Sequence, residues 1–163
     1  MIKLHEIIRA LETLAPPALQ ESYDNSGLIT GSPDQDISGI LVCLDSTEAI
    51  LDEAIAKGCN LVVAHHPIVF SGLKKITGRN YVERVIIKAI RNNIAVYAIH
   101  TNLDNVYQGV NQRIASMLGL QSTRILSPVK GKLRKLVTFV PVEQAQQVRT
   151  AICDAGAGSI GNY

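Results

Sequence analysis

The apolar residues of this chain recur at two spacings that alternate along the sequence. Near the amino terminus they repeat every three or four positions, which predicts an amphipathic helix over residues 3–15 that is ended by Pro16 and Pro17. The uninterrupted apolar run at residues 37–44 instead predicts a strand that is covered on both faces. The remaining apolar segments predict strands at residues 61–64 and 94–99 and helices at residues 46–57, 81–91 and 110–118.

Strands that alternate with helices predict right-handed βαβ units, and therefore an α/β fold with a mostly parallel sheet and helices on both faces. We assign residues 1–123 to this domain. Residues 136–163 contain one predicted strand (136–142) and one predicted helix (143–154), which are too few to bury their own apolar faces. This second unit is either a piece of a larger domain or is completed by another subunit.

The stretch between the two units is basic. Residues 124–163 carry six Lys and Arg against two Asp and Glu, whereas residues 1–123 carry ten against twelve. A short basic stretch at a boundary is typical of a solvated linker, so we assign residues 124–135 to a linker. We disfavour a nucleic-acid patch because the chain has no Trp and only two Phe, and so lacks interleaved aromatic residues on which bases would stack.

The composition excludes two classes of protein and indicates a compartment. Hydrophobic residues make up 47% of the chain and charged residues 18%, with a mean hydropathy of +0.16, which excludes an intrinsically disordered chain. No apolar run approaches the ~20 residues that a membrane helix needs. The three cysteines are widely spaced without a CxxC pair, which is typical of reduced thiols, so we expect a cytoplasmic location.

Histidines and carboxylates follow the predicted strands, at the edge where a parallel α/β sheet binds ligands. The first strand is followed by Asp45, the second by His65 and His66, and the third by His100 and Asp104. Imidazole nitrogens and carboxylate oxygens are ligands of Zn, Fe, Mn, Co and Ni. The sequence therefore predicts a metal site, with His65, His66 and Asp104 as ligands.

Two neighbouring histidines favour a dinuclear centre over a mononuclear one. Adjacent residues of a regular strand point to opposite faces, but Pro67 ends the strand, so that His65 and His66 can turn toward two neighbouring metals. The role of His100 stays open between a ligand and a residue that orients a ligand, and we favour the second.

Three further features carry weaker signals. Asp45, with Glu48 three positions later, resembles a capping box and is interpreted as a helix cap in preference to a ligand. Residues 156–161 match the dinucleotide pattern G-x-G-x-x-G, but they follow a predicted helix and open none, so we expect no NAD or FAD to bind. A basic cluster follows the His pair: Lys74, Lys75 and Arg79. These side chains either clamp a phosphate or form an exposed basic turn, and we favour the exposed turn.

Three segments resemble the successive signatures of the NIF-three-like dinuclear-metal family, whose members are named homologues of type 2 GTP cyclohydrolase 1. They are residues 23–28 (YDNSGL), 64–70 (AHHPIVF) and 99–104 (IHTNLD), in the family's order. Residues 156–163 (GAGSIGNY) resemble the opening half of the small PII-like α+β domain that longer members insert mid-chain, so residues 136–163 are interpreted as the start of that domain.

The resemblance implies a cytosolic α/β protein that holds two divalent metal ions and assembles into a ring-shaped hexamer. It implies His65, His66 and Asp104 as metal ligands. The family's further ligands, a His and a Glu in an H-x-x-x-E arrangement, come after the inserted domain and have no counterpart here, so we expect a truncated family member. Four more residues are implied to lie near the metals and the substrate: Asp24, Asn25, His100 and Asn102.

The sequence leaves two functional hypotheses of different classes. The first is a divalent-metal-dependent hydrolase of a small molecule, in which two metals activate a water; the resemblance extends it to GTP cyclohydrolase-like activity on a nucleotide. The second is a non-catalytic metal-binding or interaction module that acts as an oligomer. The first predicts that His66→Ala abolishes a hydrolytic activity, and the second predicts bound metal without turnover.

Overall fold

A four-stranded sheet places the histidine-bearing segments side by side. The computed structural model describes residues 2–127 and 136–158, which fall into two units, Met1–Leu120 and Gln121–Tyr163. The strands are β1 (Ile2–Lys3), β2 (Gly27–Thr30), β3 (Asp36–Ile37), β4 (Ile40–Asp45), β5 (Leu61–His66) and β6 (Ala95–Ala98). The helices are α1 (Leu4–Leu14), α2 (Glu48–Ala56), α3 (Tyr81–Arg91), α4 (Thr101–Asp104), α5 (Val110–Met117) and α6 (Ala145–Asp154), with short 3-10 turns at Pro17–Leu19 and Val142–Gln144.

The strand order is β2-β6-β5-β4, and β4, β5 and β6 run parallel to one another. The edge strand β2 is antiparallel to β6, and β1 pairs with β3 in a separate two-stranded ladder. The predicted α/β fold with a mostly parallel sheet is thus confirmed for the first unit. Because β4, β5 and β6 are parallel, the segments that come after them reach the same edge of the sheet.

Apolar cores lie on both faces of the sheet. On one face α1 contributes Leu4 and Ile7, which pack with Leu61, Val63 and Tyr97 of the two central strands. On the other face α2 and α3 pack against the alternate residues of the same strands: Leu51, Ala54, Val85 and Ala89 against Val62 and Val96. Removing each of these larger side chains from water contributes roughly 1.5–3 kcal/mol, so β5 and β6 form a rigid base for the segments at their carboxyl ends.

The strand predicted to be covered on both faces is covered on one. Strand β4 lies at the edge of the sheet, where Leu41 and Cys43 pack on the α2 side while Ile40, Val42 and Leu44 are 45%, 75% and 61% exposed. The core on the α1 side takes its strand residues mainly from β5 and β6, with Ile37 of β3 and Leu28 of β2, and no β4 residue is among its described members. The prediction was wrong because a continuous apolar run specifies a strand but not how many layers cover it.

The cap of helix α2 is Thr47 and not Asp45. The Thr47 hydroxyl accepts a hydrogen bond from the backbone N–H of Ile50 at 3.2 Å, and Glu48 is the first helical residue. Asp45 is the last residue of β4, so its side chain is available to another partner.

The second unit differs from its prediction. Within residues 136–158 the structure has no strand at 136–141, and the Val142–Gln144 turn leads into α6. A lone strand has no neighbour to satisfy its backbone groups, and Leu136, Phe139 and Val142 are 67%, 95% and 87% exposed. The linker boundaries and the assignment of residues 136–163 to a PII-like domain remain predictions, and residues 128–135 and 159–163 lie outside the described residues.

Among the helices of the described residues, none has the length and apolar character required to cross a membrane.

Candidate metal centre

Three imidazoles meet at the carboxyl end of the parallel strands. Strand β5 ends in His65 and His66, and His100 comes after β6, directly before α4. One ring nitrogen from each lies within 4.8 Å of the others, with ring centroids 4.8 to 5.6 Å apart. The structure therefore brings together the three histidines that the sequence placed at this edge.

The ring of His65 is oriented by the neighbouring strand. Its Nδ1 lies 3.0 Å from the backbone carbonyl oxygen of Ile99, which continues from β6. Because a carbonyl only accepts hydrogen bonds, Nδ1 carries the proton and donates, so that in the neutral ring the lone pair is on Nε2.

The ring of His66 is oriented by a carboxylate on β4. Its Nδ1 lies 2.8 Å from Oδ1 of Asp45, and the two residues are register partners in the parallel pair β4–β5. The sequence analysis assigned Asp45 to a helix cap; the structure corrects this, because Thr47 caps the helix and Asp45 holds His66 in position.

The ring of His100 is oriented by Asp24, whose side chain has no exposed surface. The Nδ1 of His100 lies 2.8 Å from Asp24 Oδ1. The Asp24 carboxylate also accepts hydrogen bonds from the hydroxyl and the backbone N–H of Thr101 and from the backbone N–H of Asn25. Desolvation by itself would raise the pKa of Asp24, but these hydrogen bonds outweigh it and lower the pKa to about 2.

The donor set fits a divalent metal ion. With each Nδ1 engaged by a backbone carbonyl or a carboxylate, the three Nε2 atoms are the free donors, which is the arrangement that metal-binding histidines adopt. A fourth donor lies nearby, because Asp104 Oδ1 is 3.9 Å from His65 Nε2 and its side chain is 38% exposed. The assignment of His65, His66 and Asp104 as ligands stays a prediction, to which the structure adds His100 as a member of the cluster and not merely a neighbour.

Asn25 and Asn102, which the resemblance placed near the substrate, both bind backbone groups. Asn102 is 2% exposed; its Oδ1 accepts from the His100 N–H at 2.9 Å and its Nδ2 donates to the Ala15 carbonyl at 2.7 Å. The Nδ2 of Asn25 donates to the Val69 carbonyl at 2.6 Å. Asn102 thus fixes the turn that carries His100, a role with no signal in the sequence.

The segment that carries the basic cluster is fixed by hydrogen bonds to the buried carboxylate of Glu83. Lys74, Lys75 and Arg79 are exposed, and Glu83 accepts hydrogen bonds from the backbone N–H of Thr77 and of Arg79. These bonds hold the pKa of Glu83 below its ordinary value. The choice between a phosphate clamp and an exposed turn stays open.

The pattern at residues 156–161 is only partly described. Gly156 and Gly158 have positive φ angles of 97° and 87° just after α6, where glycines commonly end a helix. The rest of the pattern lies outside the described residues.

Comparison with known sequences gives consistent matches. The sequence model of Duf34/NIF3 (NGG1p interacting factor 3) matches residues 2–162. A GTP cyclohydrolase 1 type 2 homolog of Halalkalibacterium halodurans is 42% identical over 158 residues, covering 96% of this chain and 42% of that protein. The protein of the same name from Bacillus subtilis is 42% identical over 159 residues, covering 97% and 43%. The chain thus spans less than half the length of these relatives.

Two solved structures are similar to this chain, and the first of them is described as related to NIF3. A Bacillus cereus protein related to NIF3 superimposes with a TM-score of 0.76 at 40% identity, covering 100% of this chain and 45% of that one. Reduced HcgD from Methanocaldococcus jannaschii superimposes with a TM-score of 0.72 at 29% identity, covering 77% and 50%.

Proposed function

This chain belongs to the Duf34/NIF3 family, and from that premise we propose that it is the histidine-bearing part of a divalent-metal-dependent hydrolase. The observation that carries the proposal is the cluster of His65, His66 and His100, in which every Nδ1 has a hydrogen-bond partner and no Nε2 makes a hydrogen bond within the described residues. Metal-binding histidines almost always donate their other ring N–H to a carboxylate or a backbone carbonyl, and all three rings have such a partner here.

The residues of the chain divide into donors and orienting groups. His65, His66 and His100 would hold metal through Nε2, with Asp104 as the carboxylate donor. A bound divalent metal would lower the pKa of water and polarise a carbonyl, C=N or phosphoryl group of the substrate. Asp24 and Asp45 keep the Nδ1 protons of His100 and His66 in place, so that both imidazoles present the same nitrogen to the centre throughout a reaction.

We propose two metal ions, which the adjacent histidines His65 and His66 support. Four donors from this chain are fewer than the eight that two four-coordinate ions need, so the remaining donors come from water or from another part of the assembly. By resemblance to the family, we also propose a cytoplasmic ring-shaped hexamer and a PII-like domain that begins within residues 136–163.

The substrate proposal rests on the names of relatives. Those relatives are called GTP cyclohydrolase 1 type 2 homologs, and GTP is therefore the first substrate to test. The second candidate function is a non-catalytic metal-binding module, which the exposure of His66 and the small number of ligands favour.

Metal content tests metal binding, which both candidate functions require. We expect protein purified without chelator or metal-affinity tag to carry metal near stoichiometry by elemental mass spectrometry, and His65→Ala/His66→Ala to lose it. His5→Ala is the matched control, because His5 is the fourth histidine, lies on α1 and contacts the Pro33 carbonyl. Metal-free wild-type protein, or equal metal in all three proteins, would contradict the proposal.

Turnover separates the two functions. We expect the chain loaded with Zn, Fe, Mn, Co or Ni to convert GTP or a phosphoester at a rate that His66→Ala abolishes and His5→Ala preserves. Bound metal with no turnover under any of these metals would favour the non-catalytic module.

A further inference from the structure

One exposed aromatic ring, that of Phe70, lies next to the histidine cluster, and a second, that of Tyr23, lies next to Phe70. Tyr23 is 66% exposed and Phe70 is 50% exposed, with ring centroids 6.5 Å apart. The Phe70 ring in turn lies 6.3 Å from the His100 ring, with an angle of 88° between the planes. A continuous series of ring contacts therefore runs from Tyr23 through Phe70 to the imidazoles.

Exposure alone does not distinguish these residues, because single exposed apolar side chains are common on protein surfaces. Val42 and Met117, for example, are each 75% exposed. What distinguishes Tyr23 and Phe70 is their placement, because Phe70 lies next to the His100 ring, Tyr23 lies next to Phe70, and both residues are at least half exposed.

The segments that carry the two rings are tied to the cluster and to each other. Tyr23 precedes Asp24, which the Thr101 N–H and the His100 ring anchor. The side-chain amide of Asn25 donates to the carbonyl of Val69 at 2.6 Å, directly before Phe70. These hydrogen bonds fix the backbone that carries the two rings, which lowers the ordering cost of binding a ligand there.

We propose that Tyr23 and Phe70 form a stacking platform that holds a planar heteroaromatic ring of the substrate next to the histidine cluster. This inference rests on the proposed function, since it gives the substrate of that site a chemical class. The scarcity of aromatic residues argues against a platform for a nucleic-acid strand, but two residues are enough for a single ring.

The chemistry of the platform predicts its selectivity. Aromatic faces attract the faces and edges of heteroaromatic rings, and every nucleobase has such a face, so stacking tolerates different bases. The platform therefore distinguishes a compound with a ring from the same compound without one, and does not distinguish purine from pyrimidine strongly.

Ligand binding to wild-type protein is the first test. The probes are GMP, UMP and ribose 5-phosphate, measured by saturation-transfer NMR and equilibrium dialysis on metal-loaded and chelator-treated protein. We expect GMP and UMP to bind at least about tenfold more tightly than ribose 5-phosphate in both preparations, because stacking does not need the metal. Equal binding of ribose 5-phosphate, or no binding of either nucleotide, would overturn the inference.

Substitutions then separate stacking from general apolar contact. We expect Phe70→Leu and Tyr23→Leu each to weaken GMP binding by about 5- to 150-fold, whereas Phe70→Tyr and Tyr23→Phe bind as the wild type does. Tyr81→Leu is the control, because Tyr81 is 57% exposed and its ring contacts no histidine ring among the described residues. If the leucine variants bind GMP as tightly as the wild type, the platform is excluded.

Metal content, measured on the same samples, distinguishes the two proposals. A leucine variant that keeps its metal and loses GMP supports both proposals. Wild-type protein that carries metal but fails to prefer ring compounds refutes the platform and leaves the metal-dependent function standing, whereas protein without metal refutes that function.

Discussion

The three imidazoles differ in what orients them, and this difference has measurable consequences. Strand geometry supplies the Ile99 carbonyl for His65, whereas His66 and His100 each depend on one carboxylate, Asp45 and Asp24. A carboxylate that accepts the Nδ1 proton makes the imidazole a stronger ligand. Removing the charge from such a partner should therefore weaken metal binding without removing a ligand.

Asp45→Asn tests this for His66. We expect the affinity for Zn or Mn to fall about 10- to 100-fold, measured by competition with a chromophoric chelator, because the amide holds the imidazole less strongly and adds no basicity. Asp52→Asn on α2 is the control, since Asp52 pairs with Lys88 and not with a histidine. An affinity that changes equally in the two variants would show that Asp45 has no special role.

Asp24 links the same region to folding stability. Its pKa is lowered from 3.8 to about 2, so the folded state favours the ionised carboxylate, and this contributes about 2 kcal/mol at neutral pH. Because folding lowers this pKa, the stabilisation is present above the ordinary value of 3.8 and is lost as the pH falls through about 2. We expect Asp24→Asn to lower the free energy of unfolding at pH 7 and the difference from the wild type to narrow toward pH 2, by urea titration.

The control for this titration is Asp34→Asn, because the Asp34 side chain is 91% exposed. We expect it to behave as the wild type at every pH. A gap between Asp24→Asn and the wild type that stays constant from pH 7 to pH 2 would contradict a lowered pKa.

At the residue scale, the sequence predicted which histidines come together better than it predicted the carboxylates that orient them. The convergence of His65, His66 and His100 was predictable because each lies at the end of a strand of a parallel sheet. The role of Asp45 was not, because Asp with Glu three positions later has the spacing of a capping box, and only the β4–β5 register shows that Asp45 faces His66. The role of Asp24 depends on a contact across 76 positions, which no local pattern records.

At the scale of elements, the cap of helix α2 can be changed without touching the residues that orient the histidines, because Thr47 caps the helix and Asp45 contacts His66. We expect Thr47→Ala to lower the free energy of unfolding by about 1 kcal/mol, because the Ile50 N–H loses its acceptor, and to leave metal affinity unchanged. Chemical denaturation and the chelator assay measure the two quantities. Thr47→Ala should thus change stability without changing metal affinity, whereas Asp45→Asn should weaken metal binding. A loss of metal in Thr47→Ala would show that the helix cap and the metal centre are coupled.

The predicted elements agree with the structure where the apolar pattern is long and periodic. Helices α1 and α3 were predictable because their apolar residues keep the helical period over three turns. Strand β2 has four half-buried residues and no clear alternation, so neither its presence nor its antiparallel direction could be derived. The strand predicted at residues 136–142 failed because strand formation depends on a partner and not on composition alone.

At the scale of the whole molecule, β4 is an edge strand of the four-stranded sheet, and within the described residues its side chains Ile40, Val42 and Leu44 are exposed. Apolar edge strands pair with other chains unless a charge or a cover prevents it. We expect the wild-type chain to self-associate with rising concentration in sedimentation velocity, and Val42→Lys to reduce this while its melting temperature stays within a few degrees.

Lys57→Gln, a charge change on the exposed end of α2, serves as the comparison. Self-association that Val42→Lys leaves unaltered would show that another surface is responsible.

The long sequence separation of Asp24 and His100 also determines what it costs to assemble the histidine cluster during folding. Joining two residues 76 positions apart costs loop-closure entropy, and the packing of β4, β5 and β6 between them offsets that cost. The unfolded chain therefore has no preformed cluster, and an ion that binds only the native state adds about 2.7 kcal/mol of stability at a hundredfold excess over its Kd. After dilution from denaturant, we therefore expect metal uptake to report on the formation of the native sheet.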